Sequence, residues 1–304
     1  MPSATGYPGK PIGIASSARA GSADFVARVL ARELSLSLRQ PVTVDNWANA
    51  VVPMPVIADA RPDGYSLLVS GGALWIGPLF EEKPSRDVLR DFVPITLAAS
   101  SPNILVVHPS LPVNSIQELI ALAESRSRTL RYSSGSTGSS SYLAGEAFKL
   151  MTGINLVRAA YNESGAIDDL ISGKVQLMFG AAGVVAPHLG SDKLRALAVT
   201  SARPSMLVPG LPTVAASGFP GFESATQIGL FAPAQTPAAI VEILSRESVR
   251  ILRSPVIRNE LLKAAMDTVG SSPQEFADTI KSEMARLENV IVRRSESNTA
   301  ISLA

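Results

Sequence analysis

The chain contains no cysteine, which excludes disulfides and thiolate metal sites but fits either side of a membrane. It also has little histidine. His108 and His188 are the only two, each beside a proline, and neither is spaced to share a helix face with a carboxylate or a second ligand. No metal site and no general base is therefore expected. A surplus of positive charge is missing too: 27 Lys and Arg stand against 26 Asp and Glu, without the basic excess that a nucleic-acid partner needs. Long apolar runs are absent, since Pro, Gly or charge interrupts each one before the roughly 18 residues needed to span a bilayer. Met1 to Gly6 show no basic segment leading into an apolar stretch, so the chain is expected to be cytoplasmic or a mature secreted form.

What is present is enough apolar mass for a folded protein. Hydrophobic residues make up 46% of the 304 and charged residues 17%, which excludes wholesale disorder. The length exceeds what one hydrophobic core usually serves, so two domains are expected.

Apolar bursts followed by amphipathic stretches imply an α/β protein with strands alternating with helices. Strands are expected at Pro11–Ser16, Val42–Val44, Tyr65–Val69, Ile104–Val107, Val175–Phe179, Leu194–Thr200 and Leu230–Pro233. Phe25, Val26, Val29, Leu30, Leu34 and Leu38 lie at helical spacing. Another helix is expected through Leu122, capped by Asn114 or Ser115, and the last 70 or so residues are helical in pattern. If Ile104–Val107 and Leu230–Pro233 are crossing strands, residues 1–106 and 230–304 form one lobe and residues 107–229 the other, with a ligand cleft between them.

Two segments carry the functional signal. Tyr132 to Ser141 is rich in serine and glycine and opens a helix containing Leu143, Ala147, Phe148 and Leu150. It has neither the pattern of a nucleophile elbow nor the lysine of a phosphate loop. Backbone N–H groups and hydroxyls at a helix start instead suit an anion such as a carboxylate; the alternative is a flexible capped loop. The second segment, Ser16 to Ser22, also joins a strand to a helix. Arg19 within it can grip a carboxylate in two-pronged fashion, or remain a solvated surface residue. Ser16, Ser17, Arg19, Gly21 and Ser22 are the expected ligand contacts there, and Ser134, Ser136, Thr137, Ser139 and Ser140 those of the later loop. Gly72, Ala73 and Trp75 are expected to wall the pocket, although core packing is an equal alternative for Trp75. Tyr161, Gly180 and Ala181 complete the set. No catalytic residue, metal or cofactor is expected.

These residues sit in a chain that resembles the Bug family, extracytoplasmic solute receptors associated with tripartite tricarboxylate transporters of Gram-negative bacteria. The resemblance is carried by Tyr7-Pro8-Gly9-Lys10-Pro11-Ile12, Arg61-Pro62-Asp63-Gly64-Tyr65, Asp91-Phe92-Val93-Pro94-Ile95, Tyr132 to Gly145, Leu194 to Ser201, Pro212-Thr213-Val214, Pro220-Gly221-Phe222-Glu223 and Gly229 to Pro233, in that order. It implies a two-lobed periplasmic binding protein fold (type II-like), with each lobe a mixed sheet flanked by helices and two crossing strands as hinge. It further implies a periplasmic monomer that captures a small organic acid and delivers it to membrane permease subunits, without enzymatic chemistry. A receptor diverged towards sensing or protein contact, or a hydrolase-like enzyme using the serine-rich loop, is the alternative.

Three segments depart from the family pattern. Ser16 to Ser22 keeps only Gly21 of a proline- and glycine-rich loop that runs towards an aspartate. Asn46 is followed by Trp47-Ala48-Asn49-Ala50-Val51-Val52 in place of a glycine-rich run, and Gly180 replaces the usual aspartate after Met178-Phe179. Losing a carboxylate and gaining Arg19 favours a more anionic ligand.

Overall fold

A computed structural model describes residues 6–16, 22–46, 54–80, 87–125, 130–135, 139–161 and 165–302, with side chains at 54, 55, 73, 80 and 289–302 not described. From the amino end the elements are β1 (Ile12–Ser16), α1 (Ser22–Leu38), β2 (Val42–Asn46), α2 (Met54–Ala58), β3 (Ser66–Gly71), α3 (Ala73–Ile76), α4 (Val88–Asp91) and β4 (Phe92–Val107). There follow α5 (Ile116–Ser125), β5 (Leu130–Ser134), α6 (Ser140–Thr152), β6 (Leu156–Ala160), α7 (Ala166–Ile171), β7 (Leu177–Ala181), α8 (Ala182–Val185) and β8 (Arg195–Val199). The chain ends with β9 (Ala225–Pro233), α9 (Ala238–Leu252), α10 (Pro255–Lys263), β10 (Asp267–Thr268) and α11 (Pro273–Ser302). No helix among the described residues is long and apolar enough to cross a membrane.

The chain divides into two compact units. Unit 1 comprises residues 1–100, 227–264 and 268–292, and unit 2 comprises residues 101–226, 265–267 and 293–304.

In unit 1, β1 lies between β2 and β3, parallel to both, and β9 runs antiparallel to β3. Ile12 and Ile14 of β1 and Leu67, Leu68 and Val69 of β3 are fully buried, as expected of parallel strands covered on both faces. Helix α1 buries Val26, Val29, Leu30 and Leu34 at helical spacing. An aromatic cluster adds to the core, where the Phe276 ring of α11 packs 5.9 Å from Trp75 and 5.0 Å from Phe231. Gly229 on β9 admits that ring, because a Cβ there would overlap the Phe276 side chain.

In unit 2, β7 and β8 both pair antiparallel with the second half of β4, while β5 runs parallel to β6 and β7. The strand period of two divides the core. Leu105 and Val107 join a cluster with Tyr132, Phe148, Phe179 and Phe222. Ile104 and Val106 join another with Leu170, Val175 and Val185. Helix α6 packs tightly on β5: Tyr132 donates to Glu146 Oε1 at 2.7 Å, and Gly145 leaves room for the Tyr132 ring. The helix ends on Gly153 in the left-handed region, φ 75°, whose N–H returns to the Lys149 carbonyl.

Candidate ligand-binding site

The serine-rich segment builds the start of α6. Ser139 is its N-cap, in extended backbone, with Oγ accepting from Tyr142 N at 3.3 Å. Its carbonyl accepts from Leu143 N at 2.9 Å. The N–H groups of Ser140 and Ser141 have no hydrogen-bond partner among the described residues, which is the ordinary condition of a first helical turn. Hydroxyls fold the preceding chain against this end: Gly135 N donates to Ser141 Oγ at 3.0 Å, and the Ser139 and Ser141 hydroxyls lie 3.1 Å apart. A positive charge stands beside them. Arg158 of β6 donates through Nε to Ser134 Oγ and through Nη2 to the Gly135 carbonyl, both at 2.8 Å, and its guanidinium lies 4.4 Å from the Tyr142 ring centre. Open N–H donors, hydroxyls and a guanidinium at the end of a 13-residue helix favour a negative group.

The crossing end of β4 borders the same helix start. Asn103, 1% exposed, sits opposite Ala181 of β7. Its backbone is held by Thr200, with Asn103 N donating to Thr200 Oγ1 and Thr200 N donating to the Asn103 carbonyl, each at 2.9 Å. Thr200 Oγ1 also donates to the Ser224 carbonyl. Ser140 Oγ donates to Asn103 Oδ1 at 3.3 Å and accepts from Thr226 Oγ1 at 3.2 Å. Ser224 Oγ donates to the Ser140 carbonyl at 3.1 Å.

The structure thus groups Ser134, Ser139 and Ser140 around one helix start, and places Ala181 next to Asn103. Ser134 itself is fully buried and serves Arg158. Tyr161 joins through its backbone, donating to the Ser134 carbonyl at 2.9 Å. Its hydroxyl donates to Asp169 Oδ2 at 2.7 Å. Burial, and then that bond, push the Tyr161 hydroxyl pKa up, while Lys174 and then Tyr161 pull the Asp169 carboxyl down. Ser136 and Thr137 lie outside the described residues.

Gly180 is buried, and its missing side chain makes room for Val185. The structure thus gives Gly180 a packing role. The aspartate that the family pattern puts there would need Val185 to move.

In unit 1 the expected contacts separate. Ser17, Arg19 and Gly21 lie outside the described residues. Ser22 begins α1 and is exposed, whereas Ser16 ends β1 fully buried, its Oγ without a partner among the described residues. Asp24 in the first turn of α1 accepts from Arg28 Nε at 3.0 Å and Asn46 Nδ2 at 2.7 Å. That pairing ties α1 to the end of β2. Gly72 N donates to the Gln227 carbonyl at 3.1 Å; Ala73 opens the short α3. Of the two roles left open for Trp75, the structure shows the core one. The indole is fully buried, tilted on Phe231 and edge-on to Phe276, and its N–H donates to Glu283 Oε2 at 2.8 Å. A ring enclosed in this way offers no face to a ligand.

Sequence reading missed Arg158 and Asn103. Arg158 had a signal: it is a charge at the middle of the apolar strand Leu156–Ala160, opposite Tyr132 in the register with β5. No group of three or more His, Asp or Glu that could hold a metal occurs among the described residues.

The mixed α/β fold is that of periplasmic solute-binding proteins, and the hydroxyl-lined start of α6 suits an anion. Residues 26–295 match the family described as tripartite tricarboxylate transporter family receptor, and the chain belongs to that family. Protein BugT of Bordetella pertussis is 33% identical over 295 residues, covering 95% of this chain and 90% of BugT. The solved structure of Rpa4515 from R. palustris, with adipate, is 31% identical with a TM-score of 0.73, covering 93% of this chain and 97% of that one. MatC from Rhodopseudomonas palustris, with bound malate, is 26% identical with a TM-score of 0.69, covering 94% and 100% respectively.

Proposed function

We propose that this protein is a periplasmic receptor that captures a small carboxylate-bearing anion at the start of α6 and delivers it to the membrane subunits of a tripartite tricarboxylate-type transporter. The observation that carries the reading is the pair of open N–H donors at Ser140 and Ser141, set among hydroxyls and beside Arg158. A carboxylate accepts from such donors without any reactive side chain, so the solute is bound and released unchanged. Two related proteins whose structures contain adipate and malate support the ligand class. The family to which the chain belongs supports the transporter as destination.

The test is a thermal-shift screen of aliphatic and aromatic carboxylates, including adipate and malate. A solute that binds only the folded form raises the melting temperature by mass action, equivalent to about 2.7 kcal/mol at a hundredfold excess over Kd. At least one carboxylate is expected to raise it, and the corresponding amide or alcohol is expected not to. A flat response across the carboxylates would remove the proposal.

A further inference from the structure

We infer that Asn103 is a ligand-binding residue, donating through Nδ2 to a carboxylate oxygen seated at the start of α6; this rests on the function proposed above. The Asn103 side chain is buried and its Nδ2 has no hydrogen-bond partner among the described residues. An unpaired buried amide donor is unfavourable, and in native structures such a group calls for an explanation. A ligand that supplies the missing acceptor is that explanation. In this amide orientation Oδ1 faces Ser140: Thr226 Oγ1 donates to Ser140 Oγ, and Ser140 Oγ donates to Asn103 Oδ1. With Oδ1 engaged, the two N–H bonds of Nδ2 are what the side chain has left to offer. The backbone cannot swing away to satisfy them, because Asn103 N and O are both held by Thr200 and the residue is locked opposite Ala181.

This assigns a chemical preference. Nδ2 only donates, as do the first N–H groups of α6, so the pocket at this point takes an acceptor such as a carboxylate or carbonyl oxygen. A ligand ammonium placed there gains no acceptor from Nδ2 or from these N–H groups. Thr226 and Ser140 act as positioning residues for the amide.

Adipate and malate titrations of the full chain test the assignment. Asn103→Asp keeps the shape and the acceptor for Ser140 but replaces the donor by a negative acceptor. Asn103→Ala removes both. Either is expected to raise Kd by about tenfold or more, with Asn103→Asp the weaker binder, because a lost hydrogen bond to a charged group lies in that range. Thr226→Val is expected to weaken binding a few-fold in the wild-type background and to add nothing in Asn103→Ala, since the relay acts only through the amide. If Asn103→Asp fails to fold, Asn103→Ala decides. Wild-type binding with an unchanged Kd in Asn103→Ala overturns this assignment alone. Wild-type protein that binds no carboxylate overturns the parent reading and this assignment with it.

Discussion

Ser140→Glu is expected to abolish binding of the carboxylate that raises the melting temperature of the wild type, in a protein that still folds. Ser140 is the first residue of α6, partly exposed. A glutamate in a first helical turn interacts favourably with the positive end of the helix dipole, by roughly 0.3–1 kcal/mol. The same carboxylate competes for the N–H donors that the ligand uses and repels the incoming anion, a juxtaposition that costs several kcal/mol, or about a hundredfold or more in affinity. The substitution also removes the hydroxyl that faces Asn103 Oδ1. Titration calorimetry beside a melting curve separates the two effects. Unchanged affinity in a stable Ser140→Glu protein would mean that the anion binds elsewhere.

Gly229→Ala is expected to produce the opposite pattern, a loss of stability from a single methyl group. A Cβ at this point of β9 would overlap the Phe276 ring. That ring cannot retreat, since it is fully buried and packed against Trp75 and Phe231. Trp75 is in turn fixed by its bond to Glu283. Overpacking of this kind costs about 1–3 kcal/mol, a fall of roughly 2–5 °C in Tm for a chain of this size. Differential scanning calorimetry reads it directly. A melting temperature within about a degree of wild type would show that the aromatic cluster is looser than its geometry implies.

Regular elements with a strong period were legible in the sequence. The spacing of Val26, Val29, Leu30 and Leu34 marks α1, and the almost purely apolar run from Leu194 marks β8, whose Leu197, Ala198 and Val199 are buried. The strand expected at Ile104–Val107 is the end of a longer one, since β4 runs unbroken from Phe92 to Val107. The pairing of β4 with β7 begins at Asn103, so the missing N–H of Pro102 removes no bond from that ladder. For the same reason Asn103 carries no sequence signal: its meaning comes from Thr200, Ser140 and Thr226, which folding brings to it from far along the chain. Trp75 shows the converse. A tryptophan just after two glycines suits a pocket wall or a core equally, and the decision rests on Phe276 and Glu283, about two hundred residues away. The serine-rich helix start was legible because capping chemistry is local. Its guanidinium was not, because Arg158 reaches it across the register of β5 and β6.

The proposed site holds a carboxylate at the open end of α6. A crystal structure of the protein grown with the carboxylate that raises its melting temperature most decides the matter. The expected result is one ligand carboxylate accepting hydrogen bonds from the Ser140 and Ser141 N–H groups, with Asn103 Nδ2 on one of its oxygens. A ligand bound with no carboxylate at that helix start would refute the placement.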